Sequence, residues 1–113
     1  MKGQTLKENK DFRRLYYRGK NEASSALVTY GMKSRGDGVR YGITTSKKIG
    51  GAVERNRARR VIRVAFRNIE PRINGSWDFV FVARTRTTKC KEDAVEKAML
   101  AHMKAMGAVN EED

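Results

Sequence analysis

The 113-residue chain predicts an α+β fold, a two-layer sandwich in the order α-β-β-β-α-β-α around one four-stranded sheet. Three observations carry that expectation. Apolar residues recur at helical spacing in three stretches, residues 9–19, 52–70 and 92–107. Apolar runs of strand length lie between them, and no repeat or low-complexity linker divides the chain. A single domain is therefore expected over residues 1–113, with 110–113 as a frayed acidic tail.

The first helix is read from "NKDFRRLYYRG". Asn9 suits its N-cap, Asp11 its first turn and Gly19 its C′ position. Phe12, Leu15 and Tyr16 share one face; Tyr16 and Tyr17 are adjacent, so one of the two tyrosines stays outside. "SALVTYGM" and "VRYGITTS" are strand-prone and flank the turn chemistry of "RGDG", Arg35 to Gly38, which predicts an antiparallel hairpin between them. A long helix follows, roughly Ala52 to Glu70, stopped by Pro71. "WDFVFVAR" reads as a buried strand. In "EDAVEKAMLAHMKAMG" Val95, Met99, His102 and Met106 face inward and Gly107 ends the helix.

Charge is the strongest signal. Twenty-five Lys and Arg against 13 Asp and Glu leave a net +12, so a polyanionic partner is expected. Much of it is concentrated in "SKKIGGAVERNRARRVIRVAFR", residues 46–67, with eight basic residues and one acid. On a helical wheel Ala58, Val61, Ile62, Ala65 and Ile69 share one sector with Phe66 at its edge. Arg59, Arg63, Asn56, Arg67 and Arg60 occupy the opposing sector, flanked by Arg55 and Arg57. A merely solvated face would mix signs and form i, i+4 pairs. Arginines without acids among them instead suit phosphates, which guanidinium binds in a planar fork. Lys47 and Lys48, before Gly50 and Gly51, add flexible positive charge at the start of that helix.

Other function classes are disfavoured. No apolar run approaches the ~20 residues of a membrane span, and "MKGQTLKENKDF" has no signal-peptide core. One cysteine, Cys90, fits a reducing compartment and a cytoplasmic location, as an incidental thiol. A protein nuclease needs paired imidazoles or clustered carboxylates. The sole histidine is His102, and Asp11, Asp37, Asp78 and Asp93 fall on different elements, so neither a catalytic residue nor a metal site is expected. A duplex-DNA reader is disfavoured too, because Asn56 is the lone base-reading candidate on the polar face. A structural ribosomal RNA-binding protein is the remaining alternative.

Residues 46–67 closely resemble the RNR motif of the bacterial ribonuclease P protein component, whose pattern runs S-K-K-x-G-N-A-V-x-R-N-R-x-K-R. Arg55, Asn56 and Arg57 supply R-N-R and Arg60 the closing Arg; Gly51 stands for the usual Asn and Arg59 for the usual Lys. "NKDFRRLYYRG", "RYGITTSKKIG" and "DFVFVAR" extend the likeness over nearly the whole chain. The resemblance implies a left-handed βαβ crossover and a protein that assists a catalytic RNA in removing the 5′ leader of precursor tRNA. It implies that Lys47, Lys48, Arg55, Asn56, Arg57, Arg59, Arg60, Arg63 and Arg67 face the catalytic RNA. Phe12, Tyr16 and Tyr30 would meet the leader, and Mg²⁺ would be held mainly by the RNA. Periodicity alone allows Phe12 to be core instead.

Overall fold

The computed structural model describes residues 4–6, 8–36 and 38–111; Asp37 of the expected turn, and Glu112 and Asp113 of the expected tail, lie outside the described residues. In chain order the elements are β1 (Gln4–Thr5), α1 (Asn9–Arg18), β2 (Lys20–Ala23), β3 (Leu27–Lys33) and β4 (Val39–Thr44). Then come α2 (Ala52–Ile69), β5 (Trp77–Ala83) and α3 (Glu92–Met106). The sheet has five strands in the order β1-β4-β5-β3-β2, one more than expected, because Gln4–Thr5 adds a short parallel edge to β4.

The expected hairpin between β3 and β4 does not form, because β5 lies between them, antiparallel to β3 and parallel to β4. The reason is burial. Trp77, Phe79 and Phe81 point to one face while Val80 and half-buried Val82 point to the other, so β5 suits the centre, where both faces are covered. The hairpin that does form joins β2 to β3, closed by reciprocal backbone bonds between Ser24 and Leu27.

Coverage of both faces also corrects the two-layer expectation. Helices α2 and α3 pack on one face through Ala58, Ile62, Ala65, Phe66, Val95, Met99 and Met103. Phe66, placed at the edge of the apolar sector by the wheel, is fully buried: its ring stacks on Tyr41 at 4.4 Å and meets Phe79 and Phe81. Helix α1 covers the opposite face, with Leu15 against Leu6 and Val80. Its cap is Glu8, not Asn9, and makes no side-chain bond. Gly19 ends it in an extended conformation; glycine is needed there because a Cβ would lie 2.6 Å from the Leu15 carbonyl oxygen. Pro71 falls in a 3₁₀ turn after α2, and Gly107 (φ 90°) closes α3 in the left-handed region.

Two buried polar groups pin the layers. The carboxylate of Asp78 accepts from Nε (3.0 Å) and Nη2 (2.8 Å) of Arg40, its register neighbour on β4, and from Nη2 of Arg14 on α1 (2.9 Å). On the other face His102 faces inward as expected, its Nδ1 2.8 Å from Thr29 Oγ1. Burial lowers the His102 pKa below the ordinary histidine value, against a weaker opposing pull from Glu22. The unfolded chain therefore binds this proton more readily. Stability is complete above the ordinary histidine pKa of about 6.5 and declines as pH falls below it. The melting temperature should drop between about pH 7 and pH 5, and His102→Gln should flatten that part of the profile. A wild-type slope retained in the variant would assign the effect to other groups.

Candidate nucleic-acid interfaces

Arginine dominates the outer side of α2. Arg57, Arg60, Arg63 and Arg67 are exposed with Asn56, whereas Arg55 and Arg59 are half-buried, Arg59 on the flank towards α1. Among the described residues, no ion pair involves an arginine of this helix. Arg59 donates through Nη1 to Asn56 Oδ1 at 3.0 Å, which fixes one guanidinium without neutralising it. Exposed Lys47 and Lys48 sit in the 3₁₀ turn Lys47–Ile49 just before the helix. A Cβ at Gly51 would meet nothing within 4 Å, so the departure from Asn leaves the backbone undisturbed and removes only a capping amide.

The second surface lies on the other face of the sheet. Helix α1 crosses the strands: Tyr16 bonds Thr44 at the end of β4 (Oη to Oγ1, 3.0 Å), and Arg14 meets Asp78 beside Arg40 at its beginning. Four residues of strand separate those contacts, about 13 Å. On the Tyr16 side a concavity of about 440 Å³ is lined by Asn9, Phe12, Arg13, Tyr16, Ile43, Thr44, Thr45 and Arg59. Tyr16 is 40% exposed, and its ring meets Tyr30 of β3 edge-on at 4.9 Å. Phe12 is half-buried, so it both packs and presents an edge. All three aromatics expected at the groove are thus brought to one side of α1.

Sequence reasoning missed three members of this surface. Gly42 lets the Phe12 ring sink into the sheet, since a Cβ there would lie 2.5 Å from Phe12 Cζ. The Thr45 hydroxyl is buried without a protein partner among the described residues. Arg59 belongs to the groove as well as to the α2 face. The alternation of "VRYGITT" sets Gly42 and Thr44 on a single face with Arg40, but it does not show that Phe12 packs on Gly42. Cys90 is half-buried and its thiol points to the Thr87 carbonyl. Among the described residues no group of three or more His, Cys, Asp or Glu could hold a metal ion.

An arginine-faced helix on one side of a sheet and an aromatic groove on the other define a small basic α+β domain of the chemistry that suits nucleic acid. The Ribonuclease P family profile matches residues 1–107. The ribonuclease P protein component of Clostridioides difficile (strain 630) is 41% identical over 95 residues, covering 83% of each chain. That of Clostridium botulinum (strain Langeland) is 35% identical over 97% of this chain and 100% of its own. Among solved structures, the Staphylococcus aureus RNase P protein aligns with a TM-score of 0.83 at 30% identity, over 96% of this chain and 100% of its own. The Thermotoga maritima RNase P protein aligns at 0.76 and 25% identity, over 87% and 93%.

The chain belongs to the ribonuclease P protein family. Membership makes it the protein component of a ribonucleoprotein nuclease of tRNA processing, with RNA as its partner.

The close approach at Gly42 generates a direct test. Gly42→Ala should push the Phe12 ring out of its seat and cost about 1–3 kcal/mol by overpacking. Chemical denaturation reads that loss, and an unchanged midpoint would mean that the ring is not seated on Gly42.

Proposed function

We propose that this chain is the protein subunit that binds the catalytic RNA of ribonuclease P and the 5′ leader of precursor tRNA, so that the RNA cleaves the leader away. The catalytic RNA takes the α2 face, through Arg55, Asn56, Arg57, Arg59, Arg60, Arg63 and Arg67, with Lys47 and Lys48. The leader runs along Phe12, Tyr16 and Tyr30, where base stacking contributes roughly 1–3 kcal/mol per base and tolerates sequence variation. The protein supplies positive field and leader contacts, while Mg²⁺ is held mainly by the RNA. Screening of phosphate repulsion lowers the Mg²⁺ concentration the RNA needs. The complex works in the cytoplasm; no described helix is long and apolar enough to cross a membrane.

The observation that carries this reading is the pairing of an uncompensated arginine face with a separate aromatic groove, the two meeting at Arg59. The left-handed crossover belongs to the same proposal and has geometric support. Tyr41 points its ring at Phe66 of α2 and its carbonyl at the Leu6 N–H, on the β1 side of β4. Viewed from α2 with β4 running upward, a side chain towards the viewer puts its own carbonyl to the right. Strand β5 therefore lies to the left, and β4–α2–β5 turns left-handed.

Precursor-tRNA cleavage at low Mg²⁺ tests the whole reading, with the protein alone, a bacterial ribonuclease P RNA alone, and both together. Cleavage at the mature 5′ end should need the mixture. Cleavage by the protein alone would reveal an active site in the chain, and tight ribosomal RNA binding without any cleavage would favour a structural ribosomal role. Arg60→Ala with Arg63→Ala should weaken assembly with the catalytic RNA and flatten its salt dependence, by about 0.7–0.9 in log–log slope for each phosphate no longer neutralised. Wild-type assembly and slope would remove the catalytic RNA from this face.

A further inference from the structure

The flank of α1 opposite the aromatic groove holds a second concavity, of about 510 Å³, between α1 and the end of β3. Arg14, Arg18, Lys33, Arg35 and Arg40 line it. Buried Asp78 lies at its base, and nearly buried Asp11 pairs with Arg14. Five positive charges against these two leave three uncompensated among the described residues. Even with Asp37, which the sequence places between Gly36 and Gly38, two remain.

The geometry is prepared for an anion. Asp78 engages Nε and Nη2 of Arg40, which leaves Nη1 of Arg40 directed away from the carboxylate. It holds Arg14 through Nη2 alone, so the remaining N–H groups of both guanidiniums are not used by this carboxylate. Both side chains remain about two-fifths exposed. A structural ion pair would need one arginine on this carboxylate; the second, and three further bases around the same hollow, need another explanation. Between the two flanks, on the outer side of α1, Tyr17 stands 91% exposed beside Lys10 and Arg13. A tyrosine so placed has no packing role. It does offer a π-face among cations, as a nucleobase with its phosphate requires.

We propose that this pocket binds backbone phosphates of single-stranded RNA that has left the Phe12–Tyr16 groove and crossed α1 over Tyr17. The occupant is the distal part of the precursor leader. The inference rests on the groove holding the proximal part. Arg14 and Arg40 are positioned by Asp78, and Arg18 and Arg35 supply exposed charge.

The test uses the full chain reconstituted with a bacterial ribonuclease P RNA and precursor tRNAs with leaders of about 4 and about 12 nucleotides, read by fluorescence anisotropy over a salt series. Arg18→Ala combined with Arg35→Ala should weaken binding of the long-leader precursor roughly 3- to 10-fold and make its log–log salt slope shallower by about 1.4. Tyr17→Ala should weaken it without changing the slope, and Arg18→Lys with Arg35→Lys should restore most of the affinity. The short-leader precursor should bind all variants alike. Equal affinity of wild type and variants for the long leader overturns the proposal. Equal losses with both leaders also overturn it, and would give the pocket to the catalytic RNA. Arg60→Ala with Arg63→Ala separates the two levels of inference. If this pair weakens assembly while the pocket variants bind normally, only the pocket assignment fails; if neither pair matters, the parent reading fails with it.

Discussion

Strand β5 is apolar on both of its faces, and the architecture follows from having to keep both away from water. Trp77, Phe79 and Phe81 require cover from one side and Val80 and Val82 from the other, so β5 cannot lie at an edge or beneath a single layer. Helices α2 and α3 satisfy the first demand and α1 the second. The consequence for function is a separation. The helix that carries the arginines and the helix that carries Phe12 and Tyr16 sit on opposite faces of one sheet, so the arginine face and the groove beside α1 are distinct surfaces.

The electrostatics are distributed unevenly between those faces. Beneath α1 the arginines are tied to carboxylates: Arg14 and Arg40 share Asp78, and the bond to Asp78 raises the Arg40 pKa further. On α2 no arginine forms an ion pair among the described residues, and Arg57, Arg60, Arg63 and Arg67 face water. Such a surface costs stability in the free protein through self-repulsion, and a bound polyanion removes that cost. The core under α2 is accordingly dense, with the rings of Tyr41, Phe79 and Phe81 each meeting Phe66.

Much of this was legible in the sequence. Helical spacing located all three helices, and the wheel of residues 52–70 put Phe66 with the core. Val61, placed in the same sector, is only half-buried, and Arg59, placed opposite it, is half-buried as well. Strand pairing was less legible. "RGDG" has the chemistry of a hairpin turn, but local turn chemistry cannot weigh the burial demand of a strand forty residues later, and β5 displaced the expected pairing. The N-terminal strand was missed because Gln4 and Thr5 are exposed and carry no apolar pattern. Asp78 was counted among scattered acids. An acid inside an otherwise apolar strand implies a partner from a neighbouring strand or helix, and the register with Arg40 that supplies it is a tertiary fact.

Arg59 lies on the border between the two faces, hydrogen-bonded to Asn56 on one side and lining the Phe12 groove on the other. A guanidinium shared in this way cannot serve two anions independently. If strands occupy both surfaces as proposed, each would draw on the same N–H groups and the same charge, so the free energy of binding one would depend on the presence of the other. Linkage makes that dependence mutual: whatever factor the first strand applies to the affinity of the second, the second applies to the first. The lysine common in the family at this position would make such a contact as a point charge, without a fork to divide. Under the proposed function, the arginine at this boundary would be a coupling element, through which leader engagement and assembly with the catalytic RNA would report on one another.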